Sequence, residues 1–147
     1  TTEHSGVVEK ISIFYTYLVT FDNKQILIPN GILTDSSIVN YSSKEIRRVD
    51  LTFSVAYEED VIRVKNVLIN ILKKNELVLE EPEFFVGISM HGDSAINFIV
   101  KAWCKTEDYW TVYYDLLETV KIKFDEEGIS IPYPQMDLHV KKNIIID

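Results

Sequence analysis

The chain has 147 residues, 46% hydrophobic and 26% charged, with no excess of Pro, Gly or Ser, so it can bury a moderate core and is too apolar for disorder. Its net charge of -8 and pI near 4.9 oppose binding to phosphate backbones or anionic lipid surfaces, so nucleic acid is not expected as a partner. No stretch reaches the roughly 18 consecutive apolar residues of a membrane span, and Thr1 to Gly6 lacks the basic and apolar regions of a signal peptide, so the chain reads as soluble.

From Val7 to Phe21 alternation prevails, with Ile11, Ile13, Tyr15, Tyr17, Val19 and Phe21 on one side and Ser12, Thr16 and Thr20 on the other, which predicts one long strand. Asp22-Asn23 tolerates the left-handed angles of a tight turn, and Lys24 to Ile28 returns as a second strand ended by Pro29-Asn30-Gly31. A short apolar run from Ser37 to Tyr41 follows. Residues 1–45 therefore read as a partial β-domain of strands and turns, without enough core to stand alone.

A second region opens at Ile46, where Val49, Leu51, Phe53 and Val55 alternate with Arg48, Asp50, Thr52 and Ser54 as a half-buried strand. Glu58-Glu59-Asp60 sets carboxylates at a helix N-terminus, and Val61, Val64, Leu68 and Ile71 carry the helical period to about Lys74. Phe84 to Met90 and Ser94 to Cys104 predict a hairpin around His91-Gly92-Asp93. Thr106 can cap a second helix with a stripe of Tyr109, Tyr113, Leu116, Leu117, Val120 and Phe124, stopped by Gly128 as a left-handed C-cap. A short strand at Ile129 to Ile131 closes the order strand, helix, strand, strand, helix, strand over residues 46–132. The predicted class is thus α+β, a small β-domain followed by a ferredoxin-like βαββαβ domain and a C-terminal strand. Pro132-Tyr133-Pro134 forces an extended connector, and in residues 133–147 Met136, Leu138 and Val140 alternate before Ile144-Ile145-Ile146. An apolar end of that kind calls for a partner.

Signs of catalysis are lacking. His4, His91 and His139 have no second ligand at metal-binding spacing, so neither metal nor cofactor is expected, and His91 reads as a solvated turn residue. Neither a Gly-x-Ser-x-Gly elbow nor a phosphate-cradling glycine loop occurs. Glu58-Glu59-Asp60 and Asp125-Glu126-Glu127 lack the loop spacing calcium needs and read as solvated faces, although negative charge at the second helix's C-terminus has no local reason in the sequence. Trp103, Tyr109, Trp110, Tyr113 and Tyr114 could line an aromatic pocket, but their spacing already assigns several to the core; Cys104, the one cysteine, reads as a buried structural thiol.

Particular residues add a resemblance. Ile28-Pro29-Asn30-Gly31, Ile38-Val39-Asn40-Tyr41-Ser42 and Arg47-Arg48, then Asp93-Ser94-Ala95-Ile96-Asn97-Phe98, Asp115-Leu116-Leu117-Glu118 and the run from Gly128 through Ile131-Pro132-Tyr133-Pro134-Gln135 to Asp137 resemble, in order, the cytoplasmic part of small-conductance mechanosensitive channels. The likeness runs from about Gly6 to Val140; the His91 turn and the tail beyond Val140 depart from the family pattern, and the membrane helices and the start of the β-domain have no counterpart here. It implies a homoheptamer in the bacterial inner membrane whose helices open under tension and release solutes on swelling, this region being the hollow vestibule on the cytoplasmic side, through which ions and small solutes pass. By the same resemblance Pro29, Asn30 and Gly31 form the loop under the pore-lining helix that influences inactivation, and Asp50 matches an acidic position at the side portals. Leu138, Val140, Ile144, Ile145 and Ile146 would build a C-terminal barrel. The rival reading is a ligand-binding regulatory module of ferredoxin-like topology, with an acylphosphatase-like hydrolase a distant third for want of a phosphate loop.

Overall fold

Residues 4–139 are described by a computed structural model, which divides the chain into two units, Thr1–Ser43 and Lys44–Asp147. The first unit is an antiparallel sheet in the order β1-β2-β3, with β1 at Val7–Ile11, β2 at Tyr15–Val19 and β3 at Gln25–Pro29, followed by the short helix α1 at Asn30–Thr34. The predicted long strand is therefore a hairpin. It folds back at Ser12, whose amide donates to Tyr15 O at 2.8 Å and whose hydroxyl donates to the same carbonyl and accepts from Tyr15 N at 3.2 Å. A serine-based turn of this kind leaves the apolar alternation intact, which hides the reversal from pattern reading. The turn at Asp22-Asn23 forms as expected, with Asn23 at φ 62°.

On β2 the side chain that turns inward is a polar one. Thr16 is buried, whereas Ile13 is 86% exposed and Tyr15 45%. The hydroxyl of Thr16 finds a partner inside, donating to Asn30 Oδ1 at 2.8 Å, so the polar side chain satisfies itself where an apolar one would leave that oxygen without its donor. Among the described residues of this unit, Ile28 is the one buried hydrophobic side chain. Two further expectations fail here. Residues 1–45 are not strands only, because α1 follows Pro29, and Ser37 to Tyr41 is exposed irregular chain. A five-residue helix is too short to show a helical period, and among the described residues no strand pairs with the 37–41 run.

The second unit contains β4 (Ile46–Val55), α2 (Val61–Lys74), β5 (Phe85–His91), β6 (Ile96–Lys105) and α3 (Tyr109–Glu127). Its sheet is antiparallel in the order β4-β6-β5, with Val49 opposite Ala102 and Phe53 opposite Phe98. Strand alternation sends Val49, Leu51, Val55, Phe98, Val100, Ala102 and Cys104 to one face, where Val64, Leu68 and Ile71 of α2 and Val112, Leu116, Val120 and Phe124 of α3 cover them. At roughly 1.5–3 kcal/mol per large buried aliphatic or aromatic side chain, this layer dominates the stability of the unit. Asp60 caps α2, accepting from Ile62 N at 2.8 Å and Arg63 N at 3.0 Å, and Gly128 closes α3 at φ 66°.

Thr106 is not the cap of α3. It begins a 3-10 turn, Thr106–Asp108, and its hydroxyl donates to Lys44 O at 2.6 Å. The strand expected at Ile129 to Ile131 does not form a ladder. Ile129 is buried, Ala56 N donates to Ser130 O at 2.9 Å, and Ser130 N donates to Glu59 Oε1 at 2.7 Å, so a carboxylate satisfies an amide that a strand partner would otherwise take. Residues 133–139 carry no strand; Leu138 is 79% exposed, and Val140, Ile144, Ile145 and Ile146 lie outside the described residues.

Candidate functional site

Asn30 is the hub of the first unit. Its amide nitrogen Nδ2 donates to Ser12 O at 2.8 Å and Ile13 O at 3.0 Å, its Oδ1 accepts from Thr16, and its backbone amide donates to Phe14 O at 2.8 Å. One side chain thus ties the β1–β2 turn to the start of α1. Gly31 has no such internal reason. A Cβ built there would meet nothing within 4 Å, and its φ is not in the left-handed region, so nothing among the described residues calls for glycine. In the same unit Ile11, Ile13, Phe14 and Ile32 are exposed near this corner and Phe21 at the far end of the β2–β3 hairpin, on a unit with almost no core among the described residues.

Asp50 lies on the sheet face of the second unit that the helices leave open. Its carboxylate accepts from Arg48 Nε at 2.6 Å and Nη2 at 2.9 Å, and Lys101 stands opposite it across the strands. The carboxylate raises the Arg48 guanidinium above its ordinary value, first through the hydrogen bond and then through its charge. Arg48 also reaches toward the Trp103 ring, 5.8 Å from its centroid. Sequence reasoning found Asp50 but missed this pairing, although an i, i+2 spacing on one strand face was a visible signal.

The other candidates resolve into structural roles. Tyr109, Trp110, Tyr113 and Tyr114 pack ring on ring along α3, Trp110 and Tyr114 stacked at 5.9 Å, while Arg47 lies 3.7 Å over Tyr109; Trp103 stands apart on β6. They form a ladder, with Tyr109 and Tyr113 resting on the core. Cys104 is buried and its thiol contacts Arg47 O at 3.8 Å, burial pushing its pKa up. Asp125, Glu126 and Glu127 meet Lys121, Lys123 and Arg63 respectively, which supplies the reason for acidic residues at that helix end. His4, His91 and His139 are exposed, and among the described residues no cluster of His, Cys, Asp or Glu could hold a metal.

Comparison with known proteins follows the division of the chain. Residues 49–131 match the family model for the mechanosensitive ion channel MscS, C-terminal, and residues 1–43 match the mechanosensitive ion channel beta-domain. A small-conductance mechanosensitive channel of Edwardsiella ictaluri is 38% identical over 92% of this chain and 48% of its own length, and an uncharacterized MscS family protein of Synechocystis is 42% identical over 92% and 46%. The crystal structure of Helicobacter pylori MscS in its closed state superposes with a TM-score of 0.89 at 29% identity, covering 94% of this chain and 55% of that one. Arabidopsis thaliana MSL1, at 18% identity and a TM-score of 0.72 over 88% and 49% of the two chains, shares the fold. The chain spans about half the length of the curated relatives it matches.

Proposed function

The chain belongs to the MscS family of mechanosensitive ion channels, and we propose that it forms the cytoplasmic vestibule of a homoheptameric, tension-gated channel of the bacterial inner membrane that releases solutes on hypoosmotic shock. No helix among the described residues is long and apolar enough to cross a membrane, so on this reading the tension sensor lies in the half of the relatives that this chain does not span. Catalysis plays no part in it.

The observation that carries the reading is the exposure of the first unit. Ile13 is 86% exposed, Phe14 72% and Phe21 84%, on a unit whose one buried hydrophobic among the described residues is Ile28. An apolar surface of this kind marks a site that other chains cover. A ring of copies does so, and it places the Pro29-Asn30-Gly31 corner, where glycine has no use within the chain, against a neighbouring element such as a pore-lining helix. In the second unit Asp50, Arg48 and Lys101 give the open sheet face fixed charges that act on passing ions as a portal lining.

Leu138, Val140 and Ile144-Ile145-Ile146 would pair between copies as a C-terminal barrel. Light scattering tests the assembly. The 147-residue chain should give a mass near seven protomers, falling with dilution, and truncation after Gln135 should lower that mass while circular dichroism stays unchanged. A monomer at all concentrations would refute the vestibule reading; an equally stable heptamer after truncation would remove the tail from it.

A further inference from the structure

The helical layer of the second unit holds a groove that the channel reading does not use. The helices α2 and α3 run antiparallel, as Arg63 meets Glu127 at one end and Asn75 meets Asp115 at the other. Between them Val67 and Ile71 form an apolar floor, and the facing positions Asn70 and Thr119 are short polar side chains that do not fill the space, leaving an open groove of about 270 Å³. That is at or below the lower end of small-molecule sites, so only a small ligand fits.

Its charges are arranged in an unusual way. Lys123 and Glu127 line the groove but are engaged elsewhere, Lys123 with Glu126 and Glu127 with Arg63. Lys74 and Asp115 also line it, and among the described residues no anion pairs with Lys74 and no cation with Asp115. The two are therefore more than 4 Å apart across the same groove, both exposed, and neither forms an ion pair with another described residue. Asp115 is held in place by Asn75, whose Nδ2 donates to Oδ2 at 2.6 Å while its Oδ1 accepts from Leu77 N at 3.0 Å. An amide fixed at both ends preorganises the carboxylate, and among the described residues Asp115 Oδ1 has no hydrogen-bond donor.

We propose that this groove binds a small zwitterion, a free α-amino acid, with its carboxylate at Lys74 and its ammonium at Asp115. A ligand carrying both charges bridges the separation that the two side chains cannot close by themselves, and the amides and hydroxyl of Asn70, Asn75 and Thr119 offer further hydrogen bonds to it. A simple anion fits worse, because a net charge of -8 on the chain repels it, and a simple cation leaves Lys74 unmet. A bound amino acid would brace α2 against α3, so the helical layer would respond to the concentration of a solute the cytoplasm holds in quantity.

Isothermal titration calorimetry on the 147-residue chain tests this with L-alanine and L-glutamine, beside glycine betaine and sodium acetate. The amino acids should give saturable binding in the millimolar range. Betaine should bind at least about tenfold more weakly, because its quaternary nitrogen has no proton to give Asp115, and acetate likewise, because it lacks the positive end. Lys74→Gln and Asp115→Asn should each weaken L-alanine by about 10-fold to 100-fold, while Lys65→Gln, on α2 outside the groove, should not. If Asp115→Asn disturbs folding by releasing Asn75, Lys74→Gln carries the test, since among the described residues its side chain makes no ion pair. Absence of saturable binding by both amino acids would overturn the proposal, as would binding indifferent to Lys74→Gln or equal affinity for betaine. None of these outcomes depends on whether the chain assembles as a vestibule.

Discussion

Replacing Asn30 with Ala should loosen the first unit and leave the second intact. The side chain makes three hydrogen bonds, accepting from Thr16 at 2.8 Å and donating to Ser12 O at 2.8 Å and Ile13 O at 3.0 Å. At about 0.5–1.5 kcal/mol net for each, their loss costs about 1.5–4.5 kcal/mol, and the stranded hydroxyl of Thr16, 5% exposed, adds about 1–3 kcal/mol more. Burial of Ile28, the one buried hydrophobic described in that unit, contributes only about 1.5–3 kcal/mol, so the Asn30 latch rivals the core it stands beside. Hydrogen exchange read by mass spectrometry separates the units. Even the low figure of about 1.5 kcal/mol predicts amides of β1 to β3 exchanging about 10-fold faster, with those of β6 around Phe98 unchanged. Adding Thr16→Val removes the stranded hydroxyl and should recover part of the loss. Protection of β1 to β3 within about threefold of the parent chain would show that the latch is not what holds this unit.

Other substitutions probe the proposed channel and the core. Asp50→Lys in a full-length channel should move the reversal potential in a salt gradient toward anions, because it removes the acceptor of Arg48 and adds a positive charge beside Lys101; an unchanged potential would take Asp50 off the ion path. Gly31→Asp, at a position with open space on its own chain, should alter inactivation or recovery more than tension threshold in patch recordings, and a change confined to threshold would contradict the assignment. Cys104 should label with a disulfide reagent at pH 8 at below about 1% of its rate in the urea-unfolded chain, since burial raises its pKa and keeps it as the thiol; rapid labelling of the folded chain would show an opening that the packing does not predict.

The second unit was legible because its signals are local and redundant. Strand period, carboxylates before Val61 and the glycine after Glu127 each place an element that the core then confirms, as Val49, Leu68, Phe98 and Phe124 all face inward. Its misreadings arise where one polar group substitutes for another. Glu59 takes the amide of Ser130 that a strand neighbour would take, and Thr106 bonds Lys44 O instead of capping α3, choices that depend on side chains distant in sequence. The pairing of Asp50 with Arg48 was in reach of spacing, whereas the gap between Lys74 and Asp115 depends on how two helices approach and leaves no mark in either helix alone.

The first unit misled for a different physical reason. Alternation reports which side chains avoid water in the working molecule, not which ones meet within one chain. Ile11, Ile13, Tyr15 and Phe21 alternate as a buried face would, yet within this chain they are exposed and Thr16 points in. The corner after β3 divides in the same way. Asn30 is explained by four bonds inside the unit, while Gly31 beside it and the exposed Ile32 have no internal explanation. An apolar pattern that the described residues do not bury and a glycine that they do not require would share one physical cause if a neighbouring surface packs against this unit, and the ring of copies proposed above would supply such a surface on both counts.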